Sequence, residues 1–369
     1  HVRMLSAASL EGRKAGSEGE KEAAEYVEQK FQEYGVDLLT PKGGELFGIT
    51  KETGDTLTSR NVIGFVEGYD RNLRNDYIVV AARLDNIGTM TMTIDGKPVE
   101  RVFYGANGNA SGLAVLIELA RMVQTNSIMF RRSVLFVALG ASNETFAGAW
   151  YFLNRSFPQV EKIVAMINLD MVGRSGRDNR MEVFVAGANR ELVGMTRQLS
   201  GRALSIAPSY TPTDYFPSDH RLFYEKGIPS VLFTTGMHRD YHTVRDTPDK
   251  LDYKQMEQLA EYVFAMAEVI SNRPDRIKAA SRHNKEEESA GKEKIYTQTT
   301  VDKPATFLHG TQQQFLDRWV YEYIKYPESA VKNGIQGRVI AEFVVDVAML
   351  IFCNTPAKRE KKEDKKEDT

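Results

Sequence analysis

The sequence predicts an α/β fold, a three-layer sandwich on a mostly parallel central sheet, and two observations carry the prediction. Runs such as Val134-Leu135-Phe136-Val137-Ala138-Leu139 are apolar without alternation, which suits strands buried on both faces of a parallel sheet. These runs alternate along the chain with segments of helical periodicity, the order that strand-helix-strand units impose.

Taken in order, Glu20 to Tyr34 is the first predicted helix, with Ala23, Ala24, Val27, Phe31 and Tyr34 at helical spacing and Gly35 placed to end it. A strand over Tyr77 to Ala82 precedes a helix over Ala110 to Val123. Ser133 to Leu139 is the next strand, followed by a helix near Phe146 to Asn154 and a strand over Ile163 to Leu169. Met181 to Ala186 and Ser230 to Thr234 read as further strands, with a helix over Arg190 to Leu199 between them. In the last helix Asp252 and Gln255 resemble a capping box, and Met256, Leu259, Val263, Met266 and Ile270 form the apolar stripe.

Residues 1–272 are therefore expected to form the sandwich. Residues 273–305 are rich in Lys, Glu, Arg and Ser and read as a charged linker with too little apolar content for a core. Residues 306–346 regain helical and strand-like patterning as a small α+β segment, and 347–369 form a divergent, charged tail.

A formal net charge of -2 over 369 residues lacks the basic surplus typical of nucleic-acid binders, so that class of partner is set aside. The single cysteine, Cys353, excludes an intramolecular disulfide framework. The longest apolar stretch, Val339 to Cys353, is interrupted by Glu342 and Asp346 and falls short of the roughly 18 residues of a membrane helix. No transmembrane segment is expected, and no secretory signal is read at His1.

Several landmarks lie in a fixed order: Leu10-Glu11-Gly12-Arg13, Arg60-Asn61-Val62-Ile63-Gly64, Asn107 to Gly112, Asn168 to Gly173, Ser218-Asp219-His220, Tyr241-His242-Thr243 and Asp246-Thr247-Pro248-Asp249. In this order, Leu5 to Asn272 resembles the co-catalytic zinc aminopeptidases that include bacterial leucyl aminopeptidases, with glutaminyl cyclases as relatives. The resemblance implies two zinc ions sharing a bridging aspartate, one also held by a histidine and an aspartate, the other by a glutamate and a histidine. A further glutamate would move the proton of the bridging water.

By that resemblance the chain departs from its family. Arg83-Leu84-Asp85 stands where the family has His-x-Asp, and arginine is no zinc ligand. Gly108 takes the place of the bridging aspartate, Ser142 that of the general base, and Asn143 that of the second-ion glutamate; Glu144 falls one residue late. Asp170 and His242 remain as ligands. No cofactor is therefore expected, and Arg83, Asp85, Asp170 and His242 are expected to line a remnant cleft in which Arg83 pairs with Asp170. His220 and His238 are open as ordinary structural histidines or recruits to a rebuilt site. Asn107 and Asn109 are expected to brace their loop.

Within 306–346, Ile324-Lys325-Tyr326-Pro327 and Gly334-Ile335-Gln336-Gly337-Arg338-Val339 resemble the first half of a TonB carboxy-terminal domain. That likeness implies the periplasm or envelope of a Gram-negative bacterium and a protein partner. Three readings stay open: a non-catalytic peptidase relative that binds a peptide or envelope protein, a zinc-dependent exopeptidase with a remodelled site, and a degenerate structural remnant.

Overall fold

Residues 1–50, 54–94, 97–174, 181–200, 208–210 and 217–279 are described by the computed structural model. The chain divides into two units, His1–Ser281 and Arg282–Thr369, and the described residues belong to the first. The partial TonB-like segment and the tail lie outside them.

In chain order the elements are α1 (Val2–Leu5), α2 (Glu18–Glu33), β1 (Asp37–Leu38), β2 (Glu45–Thr50), β3 (Thr56–Val66), β4 (Tyr77–Arg83), β5 (Gly88–Ile94) and β6 (Lys97–Phe103). There follow α3 (Ser111–Thr125), β7 (Ser133–Leu139), α4 (Ala147–Tyr151), β8 (Ile163–Leu169), β9 (Met181–Val185) and α5 (Arg190–Ser200). The last are β10 (Pro208–Tyr210), α6 (His220–Glu225), β11 (Ser230–Thr234) and α7 (Tyr253–Asn272).

The main sheet runs β1-β3-β7-β4-β8-β11-β9-β10, with β2 paired to β3. Its centre, β7-β4-β8-β11, is parallel throughout. Antiparallel pairs flank it, β3 on β7 at one side and β9 on β11 at the other. The uninterrupted apolar runs occupy the centre, where every residue of β7 and β8 is buried, as strands covered on both faces require. One face carries Phe31 of α2, Leu113 and Leu116 of α3 and Leu259 and Val263 of α7 against Phe136 and Ile167. The opposite face packs Val79, Leu135 and Val137 against Phe152 and Phe223. These are the three expected layers.

Local signals fix the helix ends. Ser17 accepts a hydrogen bond from the Glu20 amide and caps α2, while Asp252 accepts from the Gln255 amide and caps α7. The helix expected over 146–154 is shorter: α4 gives way to one wide turn over Phe152–Ser156.

Elements without an uninterrupted apolar run escaped the sequence reading. β2 is only partly buried, and β5 pairs with β6 in a separate two-stranded sheet. The packed chain also continues past the boundary expected at 272. Arg132, 1% exposed, donates through Nη1 to the carbonyls of Ile270, Ser271 and Arg273 at 3.2, 3.0 and 2.6 Å. Beyond these, Arg276 pairs with Asp76 and Ile277 is buried. The charged linker is thus tied down at its start, because buried Arg132 needs those carbonyls.

Parallel register brings the carboxyl ends of β7, β4, β8 and β11 to one edge, with Arg83 opposite Leu139, Ala82 opposite Leu169, and Phe233 opposite Leu169. Ligand sites in open α/β sheets form outside that edge. Among the described residues no helix is long and apolar enough to cross a membrane.

Phe31 is fully buried, faces Phe136 with ring centroids 6.3 Å apart, and fills the space left by Gly64. Phe31→Ala should cost about 3–5 kcal/mol, read as a lower midpoint of urea unfolding at unchanged slope.

Candidate functional site

Arg83 ends β4 and Asp170 directly follows β8, so adjacent parallel strands deliver the two side chains to one place. Arg83 Nε donates to Asp170 Oδ1 at 3.0 Å, and both residues are 5% exposed. Ser218 Oγ donates to the other carboxylate oxygen at 2.8 Å and accepts from Asn168 Nδ2 at 2.7 Å. Burial disfavours the guanidinium charge, but Asp170, Tyr241 and Asp85 outweigh it and hold Arg83 more firmly protonated than a free arginine.

Asp85 is fully buried and accepts from the amides of Ser142 and Asn143 at 2.7 and 3.1 Å, and from Asn143 Nδ2 at 2.9 Å. Burial, only partly offset by Arg83, pushes its carboxyl upward. Ser142 Oγ donates to Asp219 at 2.9 and 3.0 Å. Burial raises Asp219 to about 7, against the lowering effect of that bond. Ser142 and Asn143 therefore satisfy neighbouring carboxylates, and the Glu144 side chain is partly exposed on the same turn.

The loop before α3 is held from three sides. Asp246 accepts from the amides of Asn107 and Gly108, each at 3.0 Å. Asn109 donates to the Leu169 carbonyl at 2.9 Å and accepts from the amides of Gly112 and Met171 at 3.1 and 2.9 Å. Asn107 Oδ1 accepts from the Gly173 amide at 2.7 Å, and its Nδ2 lies 3.0 Å from His238 Nε2. A Cβ on Gly112 would lie 2.4 Å from the Leu169 carbonyl oxygen, so closeness to β8 requires glycine there.

The His242 ring stacks on Tyr241 at 3.7 Å. Burial and then Arg83 lower its pKa to about 3, leaving the imidazole neutral. His220 is fully buried at the start of α6, and His238 is tied to the 107 loop. Behind the site Arg13, also fully buried, donates to the carbonyls of Leu84, Tyr104 and Gly105 at 3.2, 3.0 and 3.1 Å.

Arg83, Asp85, Asp170 and His242 do come together, with the first three beneath the surface rather than on an open wall. Sequence reasoning missed Asp246, Asp219 and Ser218 as supports. They stood within quoted motifs, but nothing local marked which backbone amide or distant carboxylate each would meet.

The donor set does not fit a zinc pair. Asp170 spends both oxygens on Arg83 and Ser218, Asp85 is enclosed by amides, and Gly108 offers no side-chain oxygen. Among the described residues no cluster of three or more His, Cys, Asp or Glu is arranged to hold a metal ion. A guanidinium stands against the one acid that remains from the expected ligand set.

The layered sheet, with its loops gathered at one strand edge, defines a scaffold of the metallopeptidase class. Residues 61–267 match the model of peptidase family M28, and the chain belongs to that family. It is 25% identical over 248 residues to aminopeptidase YwaD of Bacillus subtilis, covering 60% of this chain and 50% of that protein. The chain thus spans half the length of this relative. LapB from Legionella pneumophila superposes with a TM-score of 0.57 at 24% identity, covering 74% of this chain and 70% of LapB. An aminopeptidase from Aneurinibacillus sp. strain AM-1 does so with a TM-score of 0.56 at 20% identity, over 75% of this chain and 94% of that one. These likenesses show the fold.

Removing one partner of a buried ion pair exposes the cost of the other. Arg83→Met should lower stability by about 3–5 kcal/mol, and adding Asp170→Leu should recover most of that loss in a double-mutant cycle. Asp219 and Glu20 are both raised to about 7, burial being the first cause for each. Each stays protonated in the folded chain at pH values where the unfolded chain has ionised. Their stabilising effect is full below about pH 4 and is lost as pH rises through about 7. Asp219→Asn should flatten the stability profile across that window in denaturation series at fixed pH.

Proposed function

We propose that this M28 family chain has lost zinc binding and peptide hydrolysis, and serves as a peptide- or protein-binding pseudopeptidase. The observation that carries the proposal is the Arg83–Asp170 pair at 3.0 Å. A fixed positive charge occupies the neighbourhood where the family resemblance calls for a dication. Ser142 supports the reading, since it lies in the expected place of the general base and instead donates to Asp219. Fold alone does not carry chemistry without its reacting groups.

Binding has a surface available. A groove of about 320 Å³ lies between β2 and α4, lined by Phe47, Ile49, Thr145, Trp150, Tyr151 and Leu222. Trp150 is half exposed there, and Tyr151 stacks on Phe47 with centroids 4.9 Å apart. Apolar walls with a few polar groups are the ordinary make-up of ligand sites. The location we propose, the envelope of a Gram-negative bacterium, rests on the TonB-like motifs of residues 306–346.

Metal analysis of protein purified without chelator, combined with hydrolysis of aminoacyl chromogenic substrates, tests this reading. The expected result is substoichiometric zinc and no chelator-sensitive turnover; stoichiometric zinc with turnover would establish the remodelled exopeptidase instead. Arg83→His, Gly108→Asp, Ser142→Glu and Asn143→Glu made together should restore stoichiometric zinc, measured by metal analysis after dialysis.

A further inference from the structure

We propose that two copies of this chain pair edge to edge through β2, antiparallel about a two-fold axis at Gly48, so that their main sheets run on as one. This goes beyond the pseudopeptidase reading and does not rest on it, since it concerns the sheet's edge and not the loops around Arg83.

The first support is an open strand edge. β2 pairs with β3 over Glu45–Thr50 and, among the described residues, with no other strand. Its free side can be assigned. A Cβ on Gly140, just past β7, would lie 2.2 Å from the Arg60 carbonyl oxygen, and one on Gly44, just before β2, 2.8 Å from the Asn61 carbonyl oxygen. Arg60 therefore faces β7 and Asn61 faces β2, and by alternation Ser59 and Leu57 face β2 as well. Their opposite numbers Glu45, Phe47 and Ile49 bond inward, which leaves the N–H and C=O groups of Leu46, Gly48 and Thr50 pointing away from the sheet. All three residues are exposed. Such a row of donors and acceptors is a template for another strand.

The second support is what this edge lacks. Free edges are commonly blunted by charge, proline or brevity. At the far end of the main sheet β10 has three residues and begins with Pro208. β2 has six, and Leu46 to Thr50 contain neither a charge nor a proline. Apolar surface gathers there instead. Leu46 is 55% exposed, and Leu39, which bonds to Ile63 of β3 on the same edge, is 51% exposed.

Self-complementarity names the occupant. Centring two antiparallel copies on Gly48 places Gly48 opposite Gly48, Leu46 opposite the second copy's Thr50, and Phe47 opposite the second copy's Ile49. The outward groups of Leu46, Gly48 and Thr50 then meet one another in about six hydrogen bonds between the chains. No like charges are opposed, for the one charge of β2, Glu45, stands at the strand's end and accepts from Ser156. At the axis, where two identical side chains would crowd, the residue is glycine. A two-fold axis normal to the sheet keeps its faces, so the grooves lined by Phe47, Ile49, Trp150 and Tyr151 come to lie on one side of the joined sheet. An unrelated extended peptide would find the same backbone groups, but a second copy is matched to β2 in its side chains as well.

Sedimentation equilibrium of the full chain tests this. The expected result is a reversible rise from the 41.6 kDa of one chain towards twice that mass at concentrations up to about 100 μM, a range that covers transient interfaces of small area. Gly48→Lys sets two ammonium groups across the axis. Like charges directly opposite are destabilising, so association should weaken about fivefold or more. The monomer tolerates the change, since a Cβ at Gly48 meets Thr56 Cγ2 at 3.5 Å, an ordinary contact.

Gly48→Asp should weaken association likewise, and an equimolar mixture of the two variants should associate again because opposite charges then face each other. That rescue separates a pairing defect from misfolding. The proposal is overturned if the wild type stays monomeric at the highest concentration, as it would were the edge kept for a peptide. It is equally overturned if Gly48→Lys associates as strongly as the wild type, or if mixing the variants restores nothing.

Discussion

At the ends of β4 and β8 a guanidinium and a carboxylate face each other with almost no access to water, and the surrounding polar structure is arranged around that charge pair. Two isolated ions in such a place would carry a desolvation cost of several kcal/mol each, so attraction and supporting hydrogen bonds must offset it. Asp170 has its support in Ser218, itself held by Asn168 from within β8. Among the described residues Arg83 hydrogen-bonds to Asp170 alone, with Asp85 and Tyr241 adding longer-range attraction. The pair is satisfied on the acid's side and unfinished on the base's.

Around it, the loop geometry is held by side-chain and backbone hydrogen bonds. Asn109 clasps the end of β8 through Leu169 and Met171, Asn107 reaches Gly173, and Asp246 closes the loop from the far side. These bonds run between side chains and backbone amides or carbonyls. A change of side chain at Gly108 or Asn143 therefore leaves them in place. Scaffold and chemistry are separable at this site, because these bonds hold the fold whatever side chains stand at positions 108 and 143.

The same separation explains what could be read from the chain. Strands in the parallel centre were legible because both faces are buried and the run of Val134 to Leu139 has no polar interruption. Helix ends at Ser17 and Asp252 were local matters of capping, although the first was placed near Glu20. The β5–β6 hairpin lies off the main sheet with much of β6 exposed, so its residues carry no continuous apolar signal. At the site, the pairing of Arg83 with Asp170 followed from strand ends and charge. The partnership of Ser142 with Asp219 spans 77 positions, and neither local pattern nor propensity encodes such a meeting.

An arginine in the place where we propose a dication has been lost satisfies a different geometry. A metal ion draws donors from all directions, whereas a guanidinium presents its N–H groups in one plane and keeps a fixed single charge. Asp85, Asp170 and Asp219 are all buried near Arg83. One guanidinium bonds directly to one of them, so the others need separate solutions. Asp85 takes amide and side-chain donors from residues 142 and 143. Asp219 takes the Ser142 hydroxyl and holds its proton to about pH 7. Arg13, the second buried guanidinium, is directed to carbonyls behind the site rather than to these acids. Charge is thus settled acid by acid, through local donors and a retained proton, and the terminal nitrogens of Arg83 are the donors that this settlement leaves over.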